Sequence, residues 1–336
     1  MDYPPTIFQT PTYLAAYRRA FGRGKNFHRL AVHTGGVSGG AWLISRGSAL
    51  RRLEWWGAGI HDIGGATLSD AAAAAPLWAQ LQQLAATCDG THLAHMAAAS
   101  PLVPLARESG WTILPAEPCP VAALAPTWDE YLKSLGKNRR EQLKRYPKRL
   151  KKEFTVEYEL ATDDAQMQRA LTDLFSLHGK RWRARGQTGV LALPSRQKFH
   201  RALCTKLLHQ DRLRLWSLRC NGKTACVLLS YFYRERYAFF IGGFEPELMR
   251  WSVGTCLFSR VLQEAIAEGA TEFDFLRGQE EYKYRLGAVD REYVSLQWFA
   301  PTVKGRLLEK RVALETAAMN KLHHTFGAAH IAKGNG

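Results

Sequence analysis

The chain has 336 residues, room for two domains, and 46% apolar with 23% charged residues is the balance of a folded globular protein. The net charge is +16, and half of it lies in residues 137–152, where nine Lys/Arg stand against one Glu. No run of about 18 uncharged apolar residues exists, which excludes a membrane-spanning helix.

In chain order, the opening Met1-Asp2-Tyr3-Pro4-Pro5 has neither a basic nor an apolar signal region, which predicts a cytoplasmic protein. Residues 30–32, 41–45 and 52–56 read as short strands, with Gly35-Gly36 and Gly39-Gly40 suggesting a hairpin between the first two. Ser69 or Asp70 caps a predicted helix over 71–86, in which Pro76 lies in the first turn or breaks it. His61-Asp62 and Gly64-Gly65 form a loop. Further strands are expected near 92–96 and 111–114. Four prolines (115, 118, 120, 126) mark 115–126 as a linker. Thr127 caps a basic helix with Tyr131, Leu135, Leu143 and Leu150 on its apolar side, kinked or divided at Pro147.

Beyond Glu153 the patterns sharpen. Phe154, Val156 and Tyr158 alternate with polar residues as in a strand. Asp163 or Asp164 caps a helix whose stripe is Leu171, Leu174, Phe175, His178 and Trp182. Ser195 opens a second helix. Three strands follow over 213–219, 224–233 and 237–243, the first two joined by Asn221-Gly222 in a type I′ turn. A helix over 253–268, a strand over 272–276, a helical turn over 280–286 and a strand over 292–299 complete the set. A tail helix over 303–322, with Leu307, Leu308, Val312 and Leu314, is expected to pack across the domains.

The passage from the strand ending in Gly242-Gly243 into the helix opened by Arg250-Trp251-Ser252-Val253-Gly254-Thr255 is suited to anions. Free N–H groups and the macrodipole converge at a helix start. Small Ser252 and Gly254 admit a pyrophosphate, and Arg250 adds charge. The alternative is an ordinary helix with Ser252 as its cap. The block Glu272-Phe273-Asp274-Phe275-Leu276-Arg277-Gly278-Gln279-Glu280-Glu281-Tyr282-Lys283-Tyr284 brings acids and bases to a strand end. There Glu280 is the candidate base, Tyr282 or Tyr284 the candidate acid, and Asp274 either catalytic or the ion-pair partner of Arg277. His178 is either a buried core histidine or a base in the cleft. Arg181 and Trp182 are candidates for acceptor contacts.

The order β-α-α-β-β-β-α-β-α-β is similar to the core topology of the GNAT acyltransferases. The 272–287 block, with His178, Arg181-Trp182 and Asn138-Arg139-Arg140, resembles the two-domain GNAT acetyltransferases of bacterial cellulose and exopolysaccharide biosynthesis. The Asp-Glu-Pro of that family is Gln279-Glu280-Glu281 here. Tyr282-Lys283-Tyr284-Arg285-Leu286-Gly287 also resembles the F-K-x-x-F-G ending of Fem-type aminoacyltransferases. That likeness implies a reaction-site role for Lys283, stabilising an oxyanion or orienting a phosphate. The GNAT Q/R-x-x-G-x-G/A pattern is met only at Gly254, since Met249 and Ser252 fill its other positions.

These resemblances imply an α/β (α+β) GNAT fold of two tandem GNAT-like domains, the second the better defined, with a mixed central sheet flanked by helices. The expected division is a degenerate first domain (1–125), a basic linker helix (126–152), the acyltransferase domain (153–300) and a helical tail (301–336). The implied activity is N- or O-acyl transfer from acetyl-CoA or another acyl-CoA to a small or sugar-linked acceptor. Gly243, Arg250, Ser252, Val253, Gly254 and Thr255 would hold the donor; Arg181, Trp182, Arg277 and Tyr284 would meet the acceptor. No metal is expected. Alternatives are an aminoacyl-tRNA donor on the basic helix, an acidic acyl carrier protein as donor, or a non-catalytic partner protein. Six scattered cysteines without a C-x-x-C pair argue against disulfides and structural zinc.

Overall fold

The computed structural model describes residues 5–183 and 186–315. A short 3₁₀ turn at Ile7–Gln9 leads into α1 (Pro11–Phe21), then β1 (Lys25–Thr34), β2 (Val37–Arg46), β3 (Arg52–Trp55), β4 (Thr67–Leu68), α2 (Ala74–Ala85), β5 (Gly90–Ala97), α3 (Leu102–Glu108) and β6 (Thr112–Ala123). Then come α4 (Trp128–Ser134), α5 (Lys137–Glu153), β7 (Val156–Leu160), α6 (Asp164–Arg183), α7 (Pro194–Leu208), β8 (Leu213–Cys220), β9 (Lys223–Phe232), β10 (Arg236–Phe244), α8 (Val253–Ala267), β11 (Glu272–Asp274), α9 (Glu281–Arg285) and β12 (Ala288–Phe299). Residues 303–315 are helical. The expected tail from 316 to 322 lies outside the described residues.

One mixed sheet runs β1-β2-β3-β5-β12-β6-β11-β10-β9-β8-β7, with β4 beside β2. The halves repeat a plan. In the first, α2 lies in the crossover between the parallel pair β3 and β5; in the second, α8 lies between the parallel pair β10 and β11. Each half then lends a strand to the other. β12 is inserted between β5 and β6, and β6 pairs with both β12 and β11.

Local chemistry accounts for the element ends. Asp163 Oδ1 accepts from Gln166 N (2.8 Å) to start α6, and Thr127 Oγ1 accepts from Glu130 N to start α4. Asn221 and Gly222 both have positive φ (51° and 74°), as a type I′ turn requires. The apolar faces bury three clusters. One lies under α2 and α3 and includes Leu43, Leu53 and Leu77. A second lies under α4, α5 and α8, around Leu143, Leu257 and Phe273. The third joins α1, α6 and α7 to the middle of the sheet through Tyr13, Leu171, Phe199 and Tyr231. Each fully buried large side chain contributes about 1.5–3 kcal/mol.

Three expectations are corrected. Residues 115–126 are not a linker: most of them form β6, in the middle of the sheet. Prolines are tolerated there because β6 is irregular and one-sided. Its register with β12 shifts between Arg291 and Tyr293, and β11 covers only Val121–Ala123. The Pro120 carbonyl accepts from Phe275 N (2.9 Å), so its missing donor faces the short β11. Pro147 does not divide the basic helix. The break falls at Leu135, which is extended, before Gly136, while α5 runs through Pro147. The Leu143 carbonyl, deprived by Pro147 of its helical donor, lies 3.4 Å from Ser259 Oγ of α8. The tail helix rests on the first half, where Leu308 and Val312 are buried and Glu315 pairs with Arg52.

Candidate active site

The sheet parts where β10 and β11 separate. Their parallel ladder ends at Ala238 and Asp274, yet β10 continues to Phe244 after a register shift against β9 between Phe239 and Ile241. Past Ala238 the β11-facing edge of β10 thus has no strand partner among the described residues, and its peptide groups are open to an extended ligand. Gly242 and Gly243 let this segment lie close to its neighbours. A Cβ on Gly243 would sit 2.7 Å from His178 N, and one on Gly242 2.7 Å from Leu228 Cδ2.

The chain then turns through a 3₁₀ segment, Pro246–Trp251, into α8. Ser252 stands at the cap position in the left-handed region (φ 55°), and its side chain caps nothing. Cys256 N donates the first helical bond, to Ser252 O. The N–H groups of Val253, Gly254 and Thr255 precede it and have no intrahelical acceptor. Open space lies where a Cβ on Gly254 would stand. Positive charge gathers here. The Arg149 and Arg250 guanidinium groups lie 5.2 and 5.4 Å from the Trp251 ring centre, and Arg149 Nη2 donates to Arg250 O (2.7 Å). Arg149 belongs to α5, none of whose nine cations is in an ion pair among the described residues.

The loop after β11 is held in an unusual shape. Leu276 (φ 54°) and Gly278 (φ 108°) both lie in the left-handed region, a strained conformation for leucine. Lys283 is 2% exposed. Its Nζ donates to Arg277 O (2.7 Å), Gly278 O (2.9 Å) and Leu276 O (3.4 Å), and lies 2.9 Å from Glu280 Oε2. Lys283 therefore ties the loop to α9 and holds Glu280 at its rim, where the Glu280 side chain stays 41% exposed. Tyr282 packs against Phe258 and Phe275; burial, then the charge of Glu280, pushes its phenol well up. Tyr284 points elsewhere, donating to Asp290 Oδ1 (2.7 Å).

Asp274 does not orient Arg277. It is buried, accepts from Leu276 N (2.8 Å), and burial raises its pKa to about 6. Arg277 instead reaches across the molecule to Asp62 Oδ1, with Nε at 3.1 Å and Nη2 at 3.0 Å. This pair joins the loop after β11 to the His61-Asp62 loop of the first half.

On the other side of β10 the helices enclose polar aromatic groups. His178 Nε2 accepts from Trp182 Nε1 (2.8 Å), and burial, then Arg181, lowers its pKa to about 4. Arg181 lies over the Phe244 ring (5.3 Å) near the end of β10. Phe240, on the open stretch of β10, is surrounded by the rings of Phe8 (6.3 Å), His200 (5.2 Å) and Tyr231 (5.7 Å), while Phe8 touches Tyr13 and His61. Tyr13 Oη, Tyr231 Oη, His200 Nδ1 and both nitrogens of His61 are buried without a hydrogen-bond partner among the described residues. Arg196 Nη2 reaches the same loop at Gly59 O (3.1 Å). Buried polar atoms are nearly always paired, so such a concentration marks a place for water or ligand.

The structure thus gathers Gly243, Ser252, Val253, Gly254, Thr255 and Arg250 at one end of the parting. Glu280, Tyr282, Lys283 and Arg277 stand at the neighbouring loop, and His178, Arg181 and Trp182 on α6. Tyr284 is set apart. Sequence reasoning missed Tyr13, Arg196, His200, Tyr231 and Phe240. They sit in ordinary helix and strand patterns and become neighbours only where α1 and α7 pack over β9 and β10.

Residues 137–284 match the family model described as an acetyltransferase (GNAT) domain. Among solved structures, FemX is similar over 88% of this chain and 93% of that one, with a TM-score of 0.64 at 12% identity. A conserved protein of unknown function from Bacteroides thetaiotaomicron has a TM-score of 0.52 at 12% identity, covering 86% of this chain and 90% of its own. A tandem GNAT protein from the clavulanic acid biosynthesis pathway has a TM-score of 0.50 at 12% identity, covering 89% and 91%. No curated protein matches the chain. At such identities the likeness to these structures is one of fold. The chain has a mixed α/β GNAT-like fold, and its residues 137–284 match the model of an acetyltransferase (GNAT) domain.

Proposed function

We propose that the protein is an acyltransferase in which an acyl thioester lies along the open edge of β10 with its phosphates at the start of α8. The supporting observation is the conjunction of an unpaired β10 edge, uncapped N–H groups at Val253–Thr255 and the Arg149–Trp251–Arg250 cluster. Acetyl-CoA fits this reading, with phosphates met by helix dipole and guanidinium groups. Gly254 has the room that a pyrophosphate needs.

The acceptor enters from the opposite side, between the halves, where Tyr13, His61, His200 and Tyr231 surround Phe240. Its amine or hydroxyl attacks the thioester carbonyl directly. Glu280 takes the proton and Tyr282 protonates the departing thiolate. Lys283 is a positioning residue, since its ammonium is engaged by the 276–278 carbonyls. In this account 1–125 is a degenerate GNAT-like unit that closes the acceptor side, and 126–152 carries the basic helix. Residues 153–300 hold the reaction site, and the tail begins at 301. The sequence likeness to exopolysaccharide acetyltransferases suggests a sugar-linked acceptor.

Thiol release from acetyl-CoA, followed against a panel of amines and sugars, tests the chemistry. Glu280→Gln is expected to lower kcat about 10²–10⁴-fold with little change in KM for the thioester. An unchanged kcat would remove Glu280 from its role. One observation favours a second reading. The nine cations of α5, none in an ion pair among the described residues, include Arg149 at the donor site, as an aminoacyl-tRNA donor of the Fem kind would use them. RNA binding that weakens steeply with salt would support it.

A further inference from the structure

A groove of about 490 Å³ lies on the first half, on the face of β1 and β2 that α2 does not cover. Its floor follows from the hairpin register. Ala31 pairs with Gly40 at the middle, Arg29 with Trp42 at one end, and His33 with Ser38 at the other. Small residues at the middle make the depression, and the larger side chains wall it. A Cβ on Gly40 would touch the Trp42 ring at 3.4 Å, so the indole leans over the floor. Thr67 and Ser69 form one side, with Ser69 Oγ accepting from Ser38 N (2.8 Å). Arg234, from the β9–β10 turn of the second half, also lines the groove.

The chemistry of this lining is one-sided. Among the described residues no carboxylate lines the groove. Arg29 and Arg234 are exposed, and neither is in an ion pair among the described residues, whereas the two buried arginines, Arg52 and Arg214, are both matched. Two unmatched guanidinium groups present planar donor forks suited to phosphate or carboxylate. An accessible indole offers a stacking face to a ring, and the hydroxyls and strand edge supply polar contacts. The volume falls within the range of small-molecule sites, about 300–1,000 Å³.

We propose that this groove is a second ligand site, separate from the acyl-transfer site, for a small ring-bearing anion. The phosphate or carboxylate lies with Arg29 and Arg234, and the ring stacks on Trp42. Two sources share this chemistry, a nucleotide or sugar phosphate and an acidic sugar.

The test is calorimetric titration of the full chain with uridine diphosphate, digalacturonate, inorganic phosphate and the neutral disaccharide cellobiose. It is run on the natural protein, on Trp42→Ala and on the double variant Arg29→Ala/Arg234→Ala, with thermal melts as the folding control. Binding of either ring-bearing anion is expected. It should weaken at least about tenfold in the double variant, and in Trp42→Ala more than phosphate binding does; tenfold corresponds to about 1.4 kcal/mol. Preference for uridine diphosphate would assign the phosphate source, and preference for digalacturonate the carboxylate source. The proposal is overturned if no anion binds at millimolar concentration, if cellobiose binds as well as the anions, or if folded variants bind unchanged. Gly254→Trp, which obstructs the thioester site, is expected to leave binding here intact, so this proposal and the acyltransferase reading fail separately.

Discussion

Lys283 shows how one side chain sets a site. An ammonium offers three protons, and here Arg277 O, Gly278 O and Leu276 O lie within reach of it inside a buried loop. The same loop holds Leu276 in the left-handed region. Removing the ammonium leaves these carbonyls without that donor and the strain without its restraint. Lys283→Met is expected to lower stability by about 2–4 kcal/mol, read from urea unfolding. An unchanged midpoint would mean that the loop needs no tie. The sequence signalled Lys283 by its place in a Tyr-Lys-Tyr-Arg-Leu-Gly block, but a reaction-site role was the expectation. That its protons are held by its own loop depends on the turn at Gly278, which no spacing discloses. Asp274 carries the same lesson. It stands three residues from Arg277, yet the guanidinium finds Asp62, 215 residues away in sequence.

At the scale of elements, Gly243 fixes how β10 meets α6. A Cβ there would stand 2.7 Å from His178 N and 3.0 Å from Leu177 Cβ, against helix backbone that cannot turn aside. Gly243→Ala is expected to cost about 1–3 kcal/mol by overpacking and to weaken thioester binding by shifting the strand edge. Wild-type stability and affinity in a melt and a titration would contradict it. The strands and helices from Val156 onward were legible because strand alternation and helical spacing are strong there. β6 was not, because four prolines between 115 and 126 imitate a linker. Its irregular register and short β11 partner, which make those prolines tolerable, are tertiary facts. The α4–α5 break was misplaced for a related reason. Pro147 is the stronger local signal, but Ser259 of α8 lies within reach of the carbonyl it frees.

For the whole molecule, the exchange of β6 and β12 makes the halves one sheet, and the polar groups at their junction are buried as a result. Burial lowers the pKa of His61, His95 and His200 to about 3 and of His178 to about 4, from 6.5. The unfolded chain therefore binds protons that the native one refuses, and stability falls as pH drops from 6.5 towards 4. Asp274 opposes this between its ordinary value of 3.8 and about 6, because its native form binds the proton more tightly. Near pH 5, four imidazoles less one carboxyl leave a difference of about three protons. That corresponds to a slope of roughly 4 kcal/mol per pH unit from these groups. Urea unfolding at pH 7, 6 and 5 should show the loss; a flat profile would mean that the imidazoles are solvated in the native state.

In the proposed reaction an acyl thioester docks where β10 parts from β11 and α8 begins. Calorimetric titration with acetyl-CoA, on the natural protein and on Gly254→Trp, tests it most directly. The indole would project into the open space beside the Val253–Thr255 N–H groups. Micromolar binding to the natural protein is expected, lost in a variant whose thermal melt is unchanged. No binding to the natural protein, or equal binding to both, would contradict it.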